Sequence, residues 1–365
     1  TIGIIIGNKY VSSIIPESRS IFLNKCRELI IMCISANILI IPITIIYFHT
    51  FSLTFVLTNL ILGSIIGIAI IIGFIAIFLP FLYLILDPIL SIIINLSSIL
   101  QYLPFSQILV PMPNIIIFFI YYVYICQKLY LFDIKNRIHI YTIQKKMLCH
   151  QKQFCKILLI LTILIILIDY IPMKKDLEIH CIDVGQGDST LIITPNEKNI
   201  LIDGGGSEDY DVGNNTLIPY LLSMGIYKID IMIISHFDTD HVMGLIEVAK
   251  SIDVDRIIIG KQKEEYANLK LLKEIIKEKN IKINVVKKGD IINIEKNINL
   301  YILWPKTELI GENAINNNSL VAKLTYKRFS MLFTEDIEAI AEEEILEIYK
   351  NTDILKCDVI KVPHH

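Results

Sequence analysis

The segment SHFDTDHVMG carries the side chains whose types and spacing could do chemistry. It follows the apolar run IDIMII, which predicts a buried strand, and a turn after such a strand aims its side chains at one point. Imidazoles and carboxylates packed this closely repel one another and lose solvation unless a cation lies among them. We therefore predict a metal site, with a polar loop that carries incidental histidines as the alternative. The candidate ligands are His236, Asp238, Asp240 and His241.

Further candidate ligands follow two later apolar runs. Asp336 comes after SMLF, the right place for a carboxylate that bridges two cations, and His364 and His365 follow the strand-like DVIKVP. Two loops joined by a bridging acid indicate a binuclear centre. Such a centre activates a water molecule and stabilises the charge on both the attacking and the leaving group of a displacement reaction. The expected cofactors are therefore two divalent metal ions.

An α/β domain is predicted to position these residues. From Leu177 onward, short β-rich runs alternate with helical stretches, as in domains of that class. The strand-like runs are LEIHCIDV, TLIIT, NILID, KIDIMIIS, RIIIG and INVV, and the helical stretches are ANLKLLKEIIKEKN and EAIAEEEILEIYK.

The preceding part of the chain has a different composition. The chain has 365 residues, of which 53% are hydrophobic, and its mean hydropathy of +0.57 is too high for an ordinary soluble enzyme. Residues 1–172 hold eleven Lys and Arg against five Asp and Glu, whereas residues 173–365 hold twenty-three against thirty-two. We predict a transmembrane domain over 1–172 and an acidic domain over 173–365. Because the chain starts with Thr1 and stops at KVPHH, we expect a fragment.

Several apolar runs are long enough to cross a bilayer. Their recurrent prolines favour kinked helices, which a plain anchor does not need. Asp87 interrupts the third run and indicates either a polar contact within the bundle or a pathway. The basic segment 127–156 is cytoplasmic by the positive-inside rule, so one further crossing places everything after Met173 on the outer face. The runs lie around residues 29–48, 53–73, 76–100, 108–126 and 157–171.

Several motifs together resemble one family. HFDTDH is similar to the signature of the metallo-β-lactamase superfamily, in the form where Asp replaces the middle His. IDVGQGDS, NILIDGGG, NNNSLVAKL, LFTEDIE and DVIKVPHH occur in the order seen in the ComEC competence proteins, and residues 35–63 are similar to their competence domain. The resemblance implies an αββα sandwich, truncated at its C-terminus, after a multi-pass α-helical membrane domain. It also implies a channel in the bacterial inner membrane that imports single-stranded DNA during natural transformation.

The resemblance also implies which residues hold each cation. The oxygen donors favour manganese or magnesium, while the histidines favour zinc. We expect manganese or zinc, with magnesium as a third candidate. By the resemblance, one cation takes His236 and Asp238, the other takes Asp240, His241 and His364 or His365, and Asp336 bridges them.

Other residues are expected around this centre by the same resemblance. Asp203 would orient a ligand loop. Asp188 in the turn GQGD would face the site, as would Asn317 and Ser319, which stand where many superfamily members keep another histidine. Glu335 stands where the family usually has Gly, so it puts bulk and charge beside the expected bridge. Either the loop tolerates this side chain or the site is impaired.

The expected activity is metal-assisted hydrolysis of a DNA phosphodiester, which degrades the strand that is not imported. Asp240 would orient the attacking water, and Asp238 is the other catalytic candidate. The expected partners are single- and double-stranded DNA, membrane lipid and other competence proteins, and an oligomer is left open. Because the domain is acidic, DNA contact would come from a local patch such as Lys327 and Arg328, or from a partner protein.

Two alternatives are kept. The first is a membrane-anchored hydrolase of the same fold that acts on a small substrate, with the helices serving only as a tether. The second is a channel whose metal domain is catalytically inactive and docks partners. A fold constrains chemistry weakly, so the site must decide among them.

Overall fold

The chain divides into two compact units. A computed structural model describes residues 2–137, 141–169, 176–262 and 266–363. The units are Thr1–Ile171 and Pro172–His365.

The first unit is helical. Its apolar composition fits the expected membrane domain, since helices satisfy every backbone polar group within one segment. Among the described residues, four segments are long and apolar enough to cross a membrane: Ile21–Phe48, Phe55–Ala76, Pro80–Leu100 and Cys149–Leu167. The helices are α1 (Ile2–Ile14), α2 (Ile21–Phe48), α3 (Phe55–Ala76), α4 (Tyr83–Leu100), α5 (Ile115–Arg137) and α6 (Tyr141–Asp169), and two short strands are β1 (Thr50–Phe51) and β2 (Ile108–Leu109).

The expected span over residues 108–126 differs from the structure. Its first residues form β2, which pairs antiparallel with β1. Proline lacks an N–H and disfavours helical backbone before it, so Pro111 and Pro113 keep this stretch extended and α5 begins at Ile115. Its apolar part, Ile115–Leu129, is shorter than a full span. The outer-face orientation, which counted this run as a crossing, therefore stays a prediction.

A proline inside α2 leaves one backbone carbonyl without its helical partner, and a tyrosine hydroxyl of α5 donates to that carbonyl. Pro42 has no N–H, so the carbonyl of Ile38 lacks its usual helical partner. The Tyr121 hydroxyl donates to that carbonyl at 2.6 Å, and the Tyr122 hydroxyl donates to the Leu39 carbonyl at 3.0 Å. These bonds join α2 to α5 and supply a donor where a bilayer would offer none.

A glycine pair and an acidic residue of the first unit have no described neighbour packed against them or are exposed. A Cβ added to Gly63 or Gly67 of α3 would meet no atom of the described residues within 4 Å. Asp87 on α4 is exposed. The structure therefore packs no described helix against this glycine pair.

The second unit is an α/β domain. Its strands are β3 (Glu178–Cys181), β4 (Thr190–Ile193), β5 (Asn199–Ile202), β6 (Lys228–Ile229), β7 (Ile231–Ile234), β8 (Asp253–Val254), β9 (Arg256–Gly260), β10 (Lys282–Val286), β11 (Ile291–Glu295), β12 (Ile298–Trp304), β13 (Val321–Tyr326), β14 (Phe329–Phe333) and β15 (Val359–Lys361). Its helices are α7 (Ile218–Ser223), α8 (Thr239–Ser251), α9 (Ala267–Lys279) and α10 (Ala339–Tyr349). Each strand-like run and helical stretch predicted from the sequence falls on one or more of these elements.

Two sheets pack face to face in this unit. In the described part of the chain, one sheet has the order β10-β9-β7-β5-β4-β3 and the other β11-β12-β13-β14-β15. Successive side chains of a strand point to opposite faces of the sheet. Ile200 and Ile202 of β5 therefore point into a core that also contains Leu324 and Phe333 of the second sheet.

The outer faces are buried as well. Leu201, on the other face of β5, is 0% exposed, so this sheet is covered on both sides. On the second sheet, Trp304 and Leu332 pack with Ala341 and Ile345 of α10. The layers are helix, sheet, sheet and helix, which confirms the αββα sandwich.

Candidate metal centre

The expected ligands meet because neighbouring strands end at one edge. β5 and β7 are parallel, so Asp203 and His236, which follow them, come to the same edge. Asp336 follows β14 of the second sheet. His241 lies in the first turn of α8, and its Nε2 is 3.4 Å from Asp336 Oδ1. Residues from both sheets therefore face one point.

Asp203 connects the ligand-bearing segments. Its side chain is fully buried and its φ is +52°. It accepts hydrogen bonds from the Ser235 backbone N–H at 2.8 Å, the Ser235 hydroxyl at 2.5 Å and His241 Nδ1 at 2.8 Å. Burial raises its pKa, but the hydrogen bond and charge of His241 lower the pKa more, so the group is a carboxylate. This supports the orienting role expected for Asp203.

Both imidazoles are oriented through Nδ1. His236 Nδ1 lies 2.8 Å from the Ser235 hydroxyl, which itself bonds to Asp203. The network assigns the protons: the Ser235 hydroxyl donates to Asp203 and accepts from His236, and His241 donates to Asp203. In each ring, Nε2 is the nitrogen left to bind a cation.

The two rings differ in charge because they touch. Their centroids are 4.1 Å apart. Burial and then the His241 charge lower the pKa of His236 to about 4. Burial also lowers the pKa of His241, but Asp203 and Asp336 raise it to about 11. In the metal-free domain, His241 is therefore the charged ring and His236 is neutral.

The donors present fit a divalent cation. His236 is 0% exposed and its Nε2 has no hydrogen-bond partner among the described residues. Asp238 Oδ2 lies 3.8 Å from that nitrogen. A buried polar atom without a partner is costly, and a cation would satisfy it. Because the Asp203 oxygens already accept three hydrogen bonds, we assign Asp203 to holding the ligands and not to binding the ion.

A pocket of about 720 Å³ opens beside these residues. Asp188, Asp240, His241 and Asp336 line it, together with Gln186 of the turn GQGD. Asp240 and Asp188 therefore reach the same cavity as two of the expected ligands. The pocket lining is acidic, which suits cations better than a bare phosphate.

Glycine lets the GQGD turn approach α8 closely. Gly187 has a φ of +86°, and a Cβ there would lie 1.6 Å from the backbone oxygen of Asp240. Any other residue would push the turn, and Asp188 with it, away from Asp240.

Some expected site residues do not line the pocket or lie outside the described residues. The Asn317 side chain donates to the Glu312 carbonyl and to Glu338, which precedes α10, so it anchors that helix and does not line the pocket. Ser319 is fully buried next to Leu320, whose N–H donates to the Ser235 carbonyl at 3.0 Å. His364 and His365 lie outside the described residues.

Glu335 is held in the site by a lysine that was not predicted. Lys361 Nζ lies 2.6 Å from Glu335 Oε2 and 3.0 Å from Asp188 Oδ2. Burial lowers the pKa of Lys361, but Glu335, Asp203 and Asp188 raise it above its ordinary value, so the ammonium stays charged. Burial raises the pKa of Glu335 to about 7, against the effect of Lys361. The only sequence signal for Lys361 was a charged residue at the end of an apolar strand.

The basic pair Lys327 and Arg328 lies far from this pocket. It forms the turn between β13 and β14, whereas Asp336 follows the opposite end of β14. Five strand residues separate the two ends, a rise of roughly 17 Å. This pair therefore does not border the candidate centre.

Two protein families match separate parts of the chain. Residues 2–134 match the family described as "Competence protein", and residues 182–306 match the metallo-beta-lactamase superfamily. The second match supports a metal-dependent hydrolase fold and agrees with the observed sandwich.

Two curated relatives are similar over part of their length. The chain is 30% identical over 217 residues to ComE operon protein 3 of Bacillus subtilis (strain 168), which covers 56% of this chain and 27% of that protein. It is 28% identical over 193 residues to Recombination protein 2 of Haemophilus influenzae, which covers 53% of this chain and 22% of that protein. The matches thus span about a quarter of each relative.

Solved structures are similar only at a low level. CmlA, a diiron beta-hydroxylase from Streptomyces venezuelae, has a TM-score of 0.32 and 15% identity, over 51% of this chain and 34% of that chain. Zn(2+)-bound PqqB from Methylobacterium extorquens has a TM-score of 0.29 and 10% identity, over 43% of this chain and 56% of that chain. Similarity at this level adds no argument about function.

Proposed function

We propose that the chain is a competence protein of the ComEC type, a competence region followed by a metallo-β-lactamase superfamily domain, and that it belongs to an inner-membrane channel that takes up single-stranded DNA during natural transformation. The apolar helices of the first unit would sit in the bilayer, and the charge of segment 127–156 favours the hydrolase domain on the outer face. The apolar helices and the paired families support this proposal.

The hydrolase domain is proposed to cleave DNA phosphodiesters and so degrade the strand that is not imported. The observation that carries this proposal is the buried Nε2 of His236, which has no hydrogen-bond partner among the described residues and lies beside the strand-end pocket. Such a nitrogen, beside a second imidazole and carboxylates, is a ligand arrangement that a divalent cation satisfies.

Each residue has a separate task in this proposal. His236, Asp238, His241 and Asp336 would hold a divalent ion, which when bound lowers the pKa of a water molecule and neutralises charge on the phosphate. Manganese or zinc fits this mixed set best, with magnesium third. Asp203 fixes both imidazoles, and Asp240 at the pocket wall orients the attacking water. Among the described residues, a second ion could use the group formed by Asp188, His241 and Glu335, whose donor atoms lie within 4.8 Å of one another; His364 and His365, which were expected to help hold it, lie outside those residues.

The test is a cleavage assay on the full chain in detergent, purified free of metal. Labelled single- and double-stranded DNA are incubated with manganese, zinc or magnesium, beside Asp240→Ala. We expect cleavage only with an added ion, and a rate at least about 100-fold lower in the variant, because proton transfer and water positioning contribute that much or more. Metal-independent cleavage, or an Asp240→Ala variant as fast as the native chain, would contradict the assigned role.

The second candidate is a channel with an inactive docking domain. The buried ion pair of Glu335 and Lys361 beside the expected bridge favours it, since the family usually has Gly at the Glu335 position. In the same assay, a folded chain that binds manganese but cleaves no DNA would favour this alternative. Hydrolysis of a small phosphodiester without DNA cleavage would instead favour the small-substrate hydrolase.

A further inference from the structure

Lys361 and Glu335 form a buried ion pair inside the candidate centre. Glu335 is 1% exposed and Lys361 is 15% exposed, and their charged atoms are 2.6 Å apart. The Lys361 ammonium also contacts Asp188, which lines the pocket. The expected activity assigns no task to this pair.

The local fold is built to keep the pair together. β14 and β15 are parallel, and Phe333 pairs with Lys361 in their register, so Lys361 ends β15 where the loop after β14 begins. The Thr334 hydroxyl donates to the Lys361 carbonyl and fixes the two segments. Glu335 has a φ of +52°, a conformation that glycine adopts easily. The chain therefore tolerates backbone strain to place this carboxylate next to the ammonium.

The ammonium sits where a second cation would have its ligands. Among the described residues, Asp188, His241 and Glu335 form a group that could hold such an ion, because their donor atoms lie within 4.8 Å of one another. Lys361 Nζ is within hydrogen-bond distance of two members of this group. A divalent ion bound there would have to displace Lys361 and leave its charge buried without a partner, which is unfavourable.

We propose that Lys361 takes the place of the second cation, so that this chain binds one divalent ion, at His236, Asp238, His241 and Asp336, and Glu335 is the counter-ion that holds Lys361 there. This inference rests on the proposed function only in requiring that the centre binds a divalent ion. It revises the expectation of two ions.

The test counts manganese ions in the full chain in detergent after removal of all metal. Calorimetric titration and elemental analysis give the number bound, and electron paramagnetic resonance distinguishes an isolated manganese ion from an exchange-coupled pair. We expect one ion per chain with an isolated-ion spectrum. In Lys361→Met, which removes the ammonium and keeps Asp188, His241 and Glu335, we expect two ions per chain and a coupled spectrum.

The outcomes separate this inference from the proposed function. Two coupled ions in the native chain would overturn the inference and leave the hydrolase proposal intact, whereas no bound manganese would overturn both. A folded Lys361→Met variant that still binds one ion would also overturn the role of Lys361. If Lys361→Met does not fold, Lys361→Gln also removes the charge, keeps Glu335 and carries the same expectation.

Discussion

The exchange of Asp203 for asparagine tests how the ligands are held. Asparagine has the same shape, and its oxygen can still accept from the Ser235 backbone N–H. Its NH₂ group, however, must then face the Ser235 hydroxyl and His241 Nδ1, which donate to Asp203 in the native chain. His241, which carries a proton on both ring nitrogens in the metal-free chain, can meet this donor only by losing the Nδ1 proton and keeping the one on Nε2. The nitrogen proposed to bind the cation would then carry a hydrogen.

The expected size of this effect follows from the role of Asp203 as the direct partner of the His241 ring and, through the Ser235 hydroxyl, of the His236 ring. Loss of such a partner weakens metal binding by about 10- to 100-fold, which corresponds to about 1.4–2.8 kcal/mol. The assay is calorimetric titration of the metal-free chain with manganese. Asp230→Asn is the matched control, because Asp230 accepts from the Asn199 N–H at the start of β5, away from the pocket.

The result that would refute this reasoning is specific. If Asp203→Asn folds and binds manganese with native affinity, Asp203 does not control the ligand tautomer. If Asp230→Asn weakens binding as much as Asp203→Asn, the effect belongs to the sheet and not to the ligand network.

Three further predictions address the pH response, the GQGD turn and the membrane helices. Because the pKa of His241 is about 11 in the metal-free protein, manganese binding near pH 7 should release a proton and strengthen as pH rises, which calorimetry in buffers of different ionisation enthalpy measures. Gly187→Ala should lower the unfolding free energy by about 1–3 kcal/mol more than Gly185→Ala, because both have positive φ but only the first would meet another atom within 4 Å; thermal unfolding measures the difference. Tyr121→Phe should cost about 0.6–1.7 kcal/mol of stability in detergent, and Tyr122→Phe less, because only Tyr121 serves the carbonyl freed by the proline of α2.

Each of these has a contrary result. A calorimetric signal independent of buffer ionisation would show that no proton leaves on binding. Equal losses in the two glycine variants would mean that the turn does not approach α8 closely. A Tyr122→Phe variant less stable than Tyr121→Phe would remove the special role of the proline-freed carbonyl.

Local sequence pattern was sufficient for the strands and for placing the candidate ligands at strand ends, whereas their binding of a metal stays a prediction. His236 follows a buried strand and Asp336 follows another, and a side chain just after a strand has a predictable place at the sheet edge. Asp203 also follows a strand, but its orienting role was expected from the family resemblance. The placement of His236 and Asp336 depended on short-range rules, namely strand periodicity and the site-forming tendency of strand ends.

Contacts between distant segments were not predictable in this way. Lys361 meets Glu335 only because β15 pairs in parallel with β14, and a parallel register cannot be read from either strand alone. Asn317 was expected to face the site, but it bonds to Glu338, 21 residues later in the chain. The expected span at 108–126 was too long, because the mean hydropathy of this run does not reflect that its prolines keep the first residues extended.

The measurement that tests the account most directly is manganese-dependent cleavage of a labelled DNA strand by the chain, His236→Ala and His180→Ala. His180 is a matched control, because its ring bonds to Tyr220 and Glu178 and not to the centre. We predict that added manganese starts cleavage by the native chain and by His180→Ala, and that His236→Ala stays inactive. Equal cleavage by His236→Ala, or none by the native chain after it has bound manganese, would contradict the claim that this strand-end cluster is the centre of a DNA-cleaving hydrolase.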